Sequence, residues 1–130
     1  MDHGTVAFAR SHLGLPPERV EAFAVFEMSN GSEVKRLIEK PTPQEVEGVK
    51  DSQGEVWVSM NVFRMPFDAL LEGCRHAPIH PERLERELPT AVLLSAERLG
   101  VTLQLLPFQG AFLDLTHPND WKDLAQRKVD

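Results

Sequence analysis

Hydrophobic and polar positions alternate most clearly over residues 21–40, where two β-type runs flank a turn. EAFAVFEMS (21–29) sets Phe23, Val25 and Glu27 on one face, and SEVKRLIEK (32–40) reads as the return strand. Asn30-Gly31 between them is the dipeptide of a type I′ hairpin, because both residues tolerate positive φ. EVWVSMNVFRM (55–65) is a longer β-type run whose Trp57, Val62 and Phe63 suit burial on both faces. VTLQLLPF (101–108) is a further strand.

The pattern changes to helical spacing in three places. Pro66 opens PFDALLEGC as a helix, since proline is tolerated in a first helical turn. ERLERELPTAVLLSAERLG (82–100) carries Leu84, Leu88, Val92, Leu93 and Leu99 on a helical repeat, with Pro89 as a break and Gly100 as the stop. HPNDWKDLAQRKV (117–129) is a terminal helix with Pro118 early and Asn119 and Asp120 near its start. The stretch 41–54, PTPQEVEGVKDSQG, is polar and punctuated by Pro and Gly, and predicts an exposed loop. TVAFARSHL (5–13) reads as a short helix or as an extended lead-in, and 110–115 as a short apolar strand. The order of elements predicts an α/β fold, a mixed sheet with flanking helices, within one domain over residues 1–130.

Composition narrows the function. A net charge of −6 argues against a general nucleic-acid binder or a binder of anionic membranes. A small phosphorylated ligand needs only a local positive site and is not excluded. No apolar run approaches the roughly 20 residues of a membrane span, and the first residues lack the basic start and apolar core of a secretory signal. A cytoplasmic location is the default expectation. Cys74 is the one cysteine, which rules out an intrachain disulfide and a cysteine metal cluster.

Several positions carry candidate chemistry. Glu39-Lys40-Pro41 places a carboxylate and an ammonium side by side where proline stops a strand, an arrangement suited to a sugar hydroxyl and a phosphate. Solvated charges at a strand terminus would read the same way. His76 and His80 have the i, i+4 spacing of a metal pair, but Pro78 between them opposes the helix that pairing requires. Cys74 and His76 are too close in sequence to face one another as nucleophile and base. Asp114 sits among Phe112, Leu113 and Leu115, where a carboxylate needs a partner. Either Mg²⁺ or a turn hydrogen bond, with Thr116 as a candidate partner, could supply it. Glu85 and Glu87 have the same ambiguity. Neither GxGxxG nor GxxxxGK[ST] occurs, so no Gly-rich phosphate loop is present.

In series, these segments resemble the C-terminal half of the sugar-1-phosphate nucleotidyltransferases, the glucose-1-phosphate uridylyl- and thymidylyltransferase-like group that makes nucleotide sugars. VKRLIEKP (34–41) resembles the family's strand ending in Glu-Lys-Pro, and VSMNVFRM (58–65) its next strand. ERELPTAV (85–92) resembles its Glu-rich segment leading into a helix, and AFLDLTHPNDW (111–121) its closing motif. That motif usually has Gly-Thr where this chain has Leu115-Thr116, and here His117 is inserted before Pro118.

The resemblance implies a nucleotide-diphospho-sugar transferase fold and a set of roles. Glu39 would accept hydrogen bonds from sugar hydroxyls, Lys40 would contact the phosphate of a sugar-1-phosphate, and Asn61 would bond sugar hydroxyls. Glu87, or Glu85 if the alignment slips by two, would be a further sugar contact, and Asp114 would be one of two carboxylates on a catalytic Mg²⁺. The family's Gly-rich nucleotide loop is missing, so a separate nucleotide-binding half is implied and the chain alone is expected to be inactive. The alternative is a non-catalytic module that binds a sugar phosphate or a protein. A half-sheet would leave an open apolar edge, from which self-association into a homodimer is expected.

Overall fold

The segment whose sequence reads equally as short helix or lead-in is the strand around which the fold is built. In the computed structural model, which describes residues 3–29, 31–113, 115 and 117–126, β1 (His3–Ala9) pairs on both sides. Six of its seven residues are buried, so it shows none of the alternation by which a half-exposed strand announces itself. A single turn of 3-10 helix (Arg10–His12) and the short helix α1 (Pro17–Val20) follow.

Strands β2 (Val25–Ser29) and β3 (Glu33–Ile38) form the expected antiparallel hairpin. Ser29 faces Glu33, so the connection is three residues, 30–32, instead of the two of a type I′ turn. Gly31 takes a φ of 80°, as glycine does in such turns. Between Glu27↔Arg36 and Met28↔Val34 the register slips by one, which leaves Lys35 as a bulge. Both Lys35 and Arg36 pair with Glu27 across this irregularity.

The polar stretch 41–54 contains a helix, α2 (Pro43–Gly48), and is not simply a loop. It is held by a reciprocal cap: Thr42 Oγ1 accepts from Glu45 N at 3.2 Å, and Glu45 Oε1 accepts from Thr42 N at 3.2 Å. A capping box with proline in the first turn can nucleate a helix that has no buried residue of its own. Strand β4 (Trp57–Arg64) buries only its first half, through Val58 and Ser59, while Asn61, Val62 and Arg64 are exposed. The expected burial on both faces therefore stops where the strand bulges.

Helices α3 (Phe67–His76) and α4 (Leu88–Leu99) pack together. Gly73 lies so close to α4 that a Cβ there would stand 2.2 Å from the Ala91 carbonyl oxygen. Pro89 is in the first turn of α4, so it starts this helix and does not break a longer one. Gly100, with φ 64°, ends it as expected. Strand β5 (Leu103–Phe108) and helix α5 (Asp120–Gln126) complete the chain's elements. No strand occurs over 110–113, contrary to the expected short apolar one.

The sheet closes on itself in the order β1-β4-β2-β3-β5, making a small mixed barrel of five strands with helices around it. All neighbours are antiparallel except β1 and β5, which run parallel from His3↔Leu103 to Phe8↔Phe108. One apolar cluster joins Phe8, Leu13, Val25, Ile38, Val49, Val56 and Val58. Phe8 meets Phe108 and Phe112 edge to face, with ring centroids 5.3 and 5.1 Å away. A second cluster gathers Ala7, Phe26 and Leu105. The open sheet edge from which self-association was expected is absent among the described residues, because the wall is closed.

Candidate functional site

Three of the sequence-selected residues meet at one end of the barrel. Strand β3 stops at Ile38, and Glu39 and Lys40 follow as a bend before Pro41. Lys40 has a φ of 45°, the left-handed region, which disrupts the alternation of the preceding strand.

Across from it, β4 leaves its regular register with β1. Thr5 faces Phe63 and Ala7 faces Ser59, so three residues of β4 stand opposite Val6 alone. Asn61 accommodates the bulge with a φ of 56°, a conformation asparagine tolerates better than most residues. Two hydrogen bonds fix it: Thr5 Oγ1 donates to Val62 O at 2.9 Å, and Asn61 N donates to Ser59 Oγ at 3.3 Å. β2 meets β4 only at Val25↔Val58 and through Ser59 N donating to Ala24 O.

At this end of the barrel is a cavity of about 200 Å³ lined by Ala22, Phe23, Ala24, Leu37, Glu39, Lys40, Ser59 and Asn61. Two of the three non-glycine positive-φ residues among those described, Lys40 and Asn61, therefore line the same small space. Among the described residues, neither the Lys40 ammonium nor the Asn61 carboxamide has a hydrogen-bond or ion-pair partner. The volume is below the roughly 300–1,000 Å³ of drug-sized ligand sites.

Glu87 does not line this cavity. It precedes α4 as the N-cap residue, and its carboxylate pairs with Arg83. Arg83 Nη2 also lies 3.4 Å from Glu39 Oε2. A chain Glu87–Arg83–Glu39 thus connects the start of α4 to the cavity's lining, whereas exposed Glu85 has no ion pair among the described residues. Sequence reasoning missed Arg83. Residues 83–87 are not helical, so the i, i+4 spacing of Arg83 and Glu87 carries no pairing signal of its own.

His80 organises the loop that carries Arg83. Its Nδ1 accepts from Glu82 N and Arg83 N, each at 3.2 Å, so the ring proton belongs on Nε2. His80 N donates to Glu85 O and Leu84 N to His80 O, closing the turn around Leu84 at φ 55°. His76 Nδ1 lies 2.9 Å from Glu72 O, an ordinary contact within α3. The two histidines are thus engaged locally, and no group of three His, Cys, Asp or Glu able to hold a metal occurs among the described residues. Asp114, the expected Mg²⁺ ligand, lies outside the described residues.

A larger cavity, about 680 Å³, is lined by His3, Pro66, Gln104 and the turn at the end of α4. His3 is its only titratable residue, and the imidazole is hydrogen-bonded to Ser95. The smaller cavity brings together a carboxylate, an ammonium and an amide, all from exposed residues. Among the described residues, no helix is long and apolar enough to cross a membrane. No protein-family model and no curated protein matches the chain.

Proposed function

We propose that this chain binds a sugar-1-phosphate, as the sugar-phosphate-holding half of a nucleotidyltransferase that forms nucleotide sugars from a nucleoside triphosphate and a sugar-1-phosphate. The observation that carries this reading is the convergence of Glu39, Lys40 and Asn61, from two distant segments, on one cavity of about 200 Å³. Lys40 supplies a positive charge for the phosphate, Glu39 accepts from sugar hydroxyls, and Asn61 offers both donor and acceptor. Glu87 acts at a distance, through Arg83. In the full reaction an oxygen of the held phosphate attacks the α-phosphorus of a nucleoside triphosphate in line and pyrophosphate leaves. This half contributes position and charge neutralisation. The described residues do not make a Mg²⁺ site, so no step of this reading runs through the metal.

The closed wall favours a second reading. A barrel whose strands all find partners needs no missing half to complete its sheet, which suits a self-standing sugar-phosphate binder.

Calorimetric titration with glucose-1-phosphate tests what the two readings share. Saturable binding is expected, weakened about tenfold or more by Lys40→Ala, as for loss of a charge-assisted contact. Absence of heat at millimolar ligand overturns both. Pyrophosphate release on supplying a nucleotide-binding half separates the first reading from the second.

A further inference from the structure

Glu39 and Lys40 are neighbours of opposite charge at the mouth of the same cavity, and left to themselves they would neutralise one another. In the structure they do not pair. The Glu39 carboxylate is taken by Arg83, while no described residue pairs with the Lys40 ammonium. Arg83 is itself anchored from behind by Glu87, and its backbone N–H is fixed by His80 Nδ1.

We propose that Arg83 is the positioning residue of the anion site: by holding Glu39, it keeps Lys40 uncompensated and available to an anionic oxygen. Arg83 is not among the residues lining the cavity and acts through Glu39. The ligand class this defines is a phosphomonoester or another compact oxyanion. A neutral sugar gains only hydrogen bonds from a freed ammonium, whereas an oxyanion gains a charge pair as well. The proposal rests on the binding reading above only in its choice of cavity; it concerns the anion and not the sugar.

Inorganic phosphate is the appropriate probe, followed by ¹H–¹⁵N chemical-shift titration of the Lys40 and Asn61 amides at low salt. Arg83→Ala should weaken phosphate binding about fivefold, the scale of a lost exposed ion pair. The double variant Arg83→Ala/Glu39→Gln should restore wild-type affinity, because the carboxylate that would capture Lys40 is gone. A purely structural role for Arg83 predicts no such rescue. The proposal is overturned if the double variant binds as weakly as Arg83→Ala, if Arg83→Ala binds like wild type, or if Lys40→Ala leaves phosphate binding unchanged. Phosphate bound in this pattern with no response to glucose-1-phosphate would remove the sugar-phosphate reading and leave the role of Arg83 standing.

Discussion

His3 Nε2 lies 3.2 Å from Ser95 Oγ, a buried hydrogen bond that joins the first strand to the fourth helix. With both residues at most 3% exposed, the bond fastens the α3–α4 layer to the barrel wall. Ser95→Ala removes this bond and is expected to cost about 1–2 kcal/mol of stability, measured as a lower urea midpoint with an unchanged m-value.

The same layer gives a steric prediction. Gly73 stands against the Ala91 carbonyl, where an added Cβ would approach to 2.2 Å. Backbone cannot yield as a flexible side chain does, so Gly73→Ala should lose about 1–3 kcal/mol despite alanine's better helix propensity. Equal or greater stability in thermal unfolding would show that the helices separate without cost.

The site's backbone makes an opposite prediction. Lys40 adopts φ 45°, a conformation that costs an L-residue roughly 1–2 kcal/mol and glycine almost nothing. Lys40→Gly should leave the protein as stable as wild type or up to about 1 kcal/mol more stable, while abolishing response to glucose-1-phosphate. A variant less stable than wild type would mean that the lysine side chain is needed for folding.

Asp51 supports an acid-dependent contribution. Its carboxylate accepts from Glu55 N and Gln53 N, each at 2.9 Å, and from Trp57 Nε1 at 3.0 Å. The backbone bond from Glu55 foremost, then the Trp57 indole, holds its pKa below the ordinary aspartate value. A lowered folded pKa means stability present above the unfolded value, about 3.9, and lost as pH falls through the lower folded one. The melting-temperature gap between wild type and Asp51→Asn should be constant near neutrality and narrow below about pH 4. A gap that widens on acidification would reverse the assignment.

Thr42→Ala breaks the capping box of α2 and should cost about 1 kcal/mol, since the helix has no fully buried residue and rests on the core through half-buried Val46 alone among its apolar side chains. Amide exchange across 43–48 is the direct measurement, with faster exchange expected there and none of it elsewhere.

How far the sequence reveals this protein depends on whether each signal is local. The hairpin pairing, the helix after Pro66 and the stop at Gly100 are written in neighbouring residues and stand where expected, whereas β3 ends at Ile38, short of Lys40, and the hairpin connection is one residue longer than a type I′ turn. β1 was ambiguous because a strand buried on both faces lacks a two-residue rhythm, and closure of the sheet depends on pairing His3 with Leu103 across most of the chain. Of the residues lining the cavity, Glu39 and Lys40 stand out in the sequence as a charge pair at a strand end, and Asn61 through the resemblance alone. Arg83 was hidden because its partner Glu39 lies 44 residues away, and the bulge at Asn61 follows from its register with β1.

Parallel pairing of β1 with β5 also sets the order of events in folding. Until 103–108 joins, both β1 and β3 lack a neighbour on one side, and closing that gap carries a large loop entropy. The ring is therefore expected to zip last and to open first as a whole. The cavity joins β3 (Leu37) and β4 (Ser59, Asn61) with the turns at 22–24 and 39–40, so opening of the ring disassembles it. Ligand occupancy would then act as a hoop, slowing exchange in every strand at once and not in the loop at Lys40 alone.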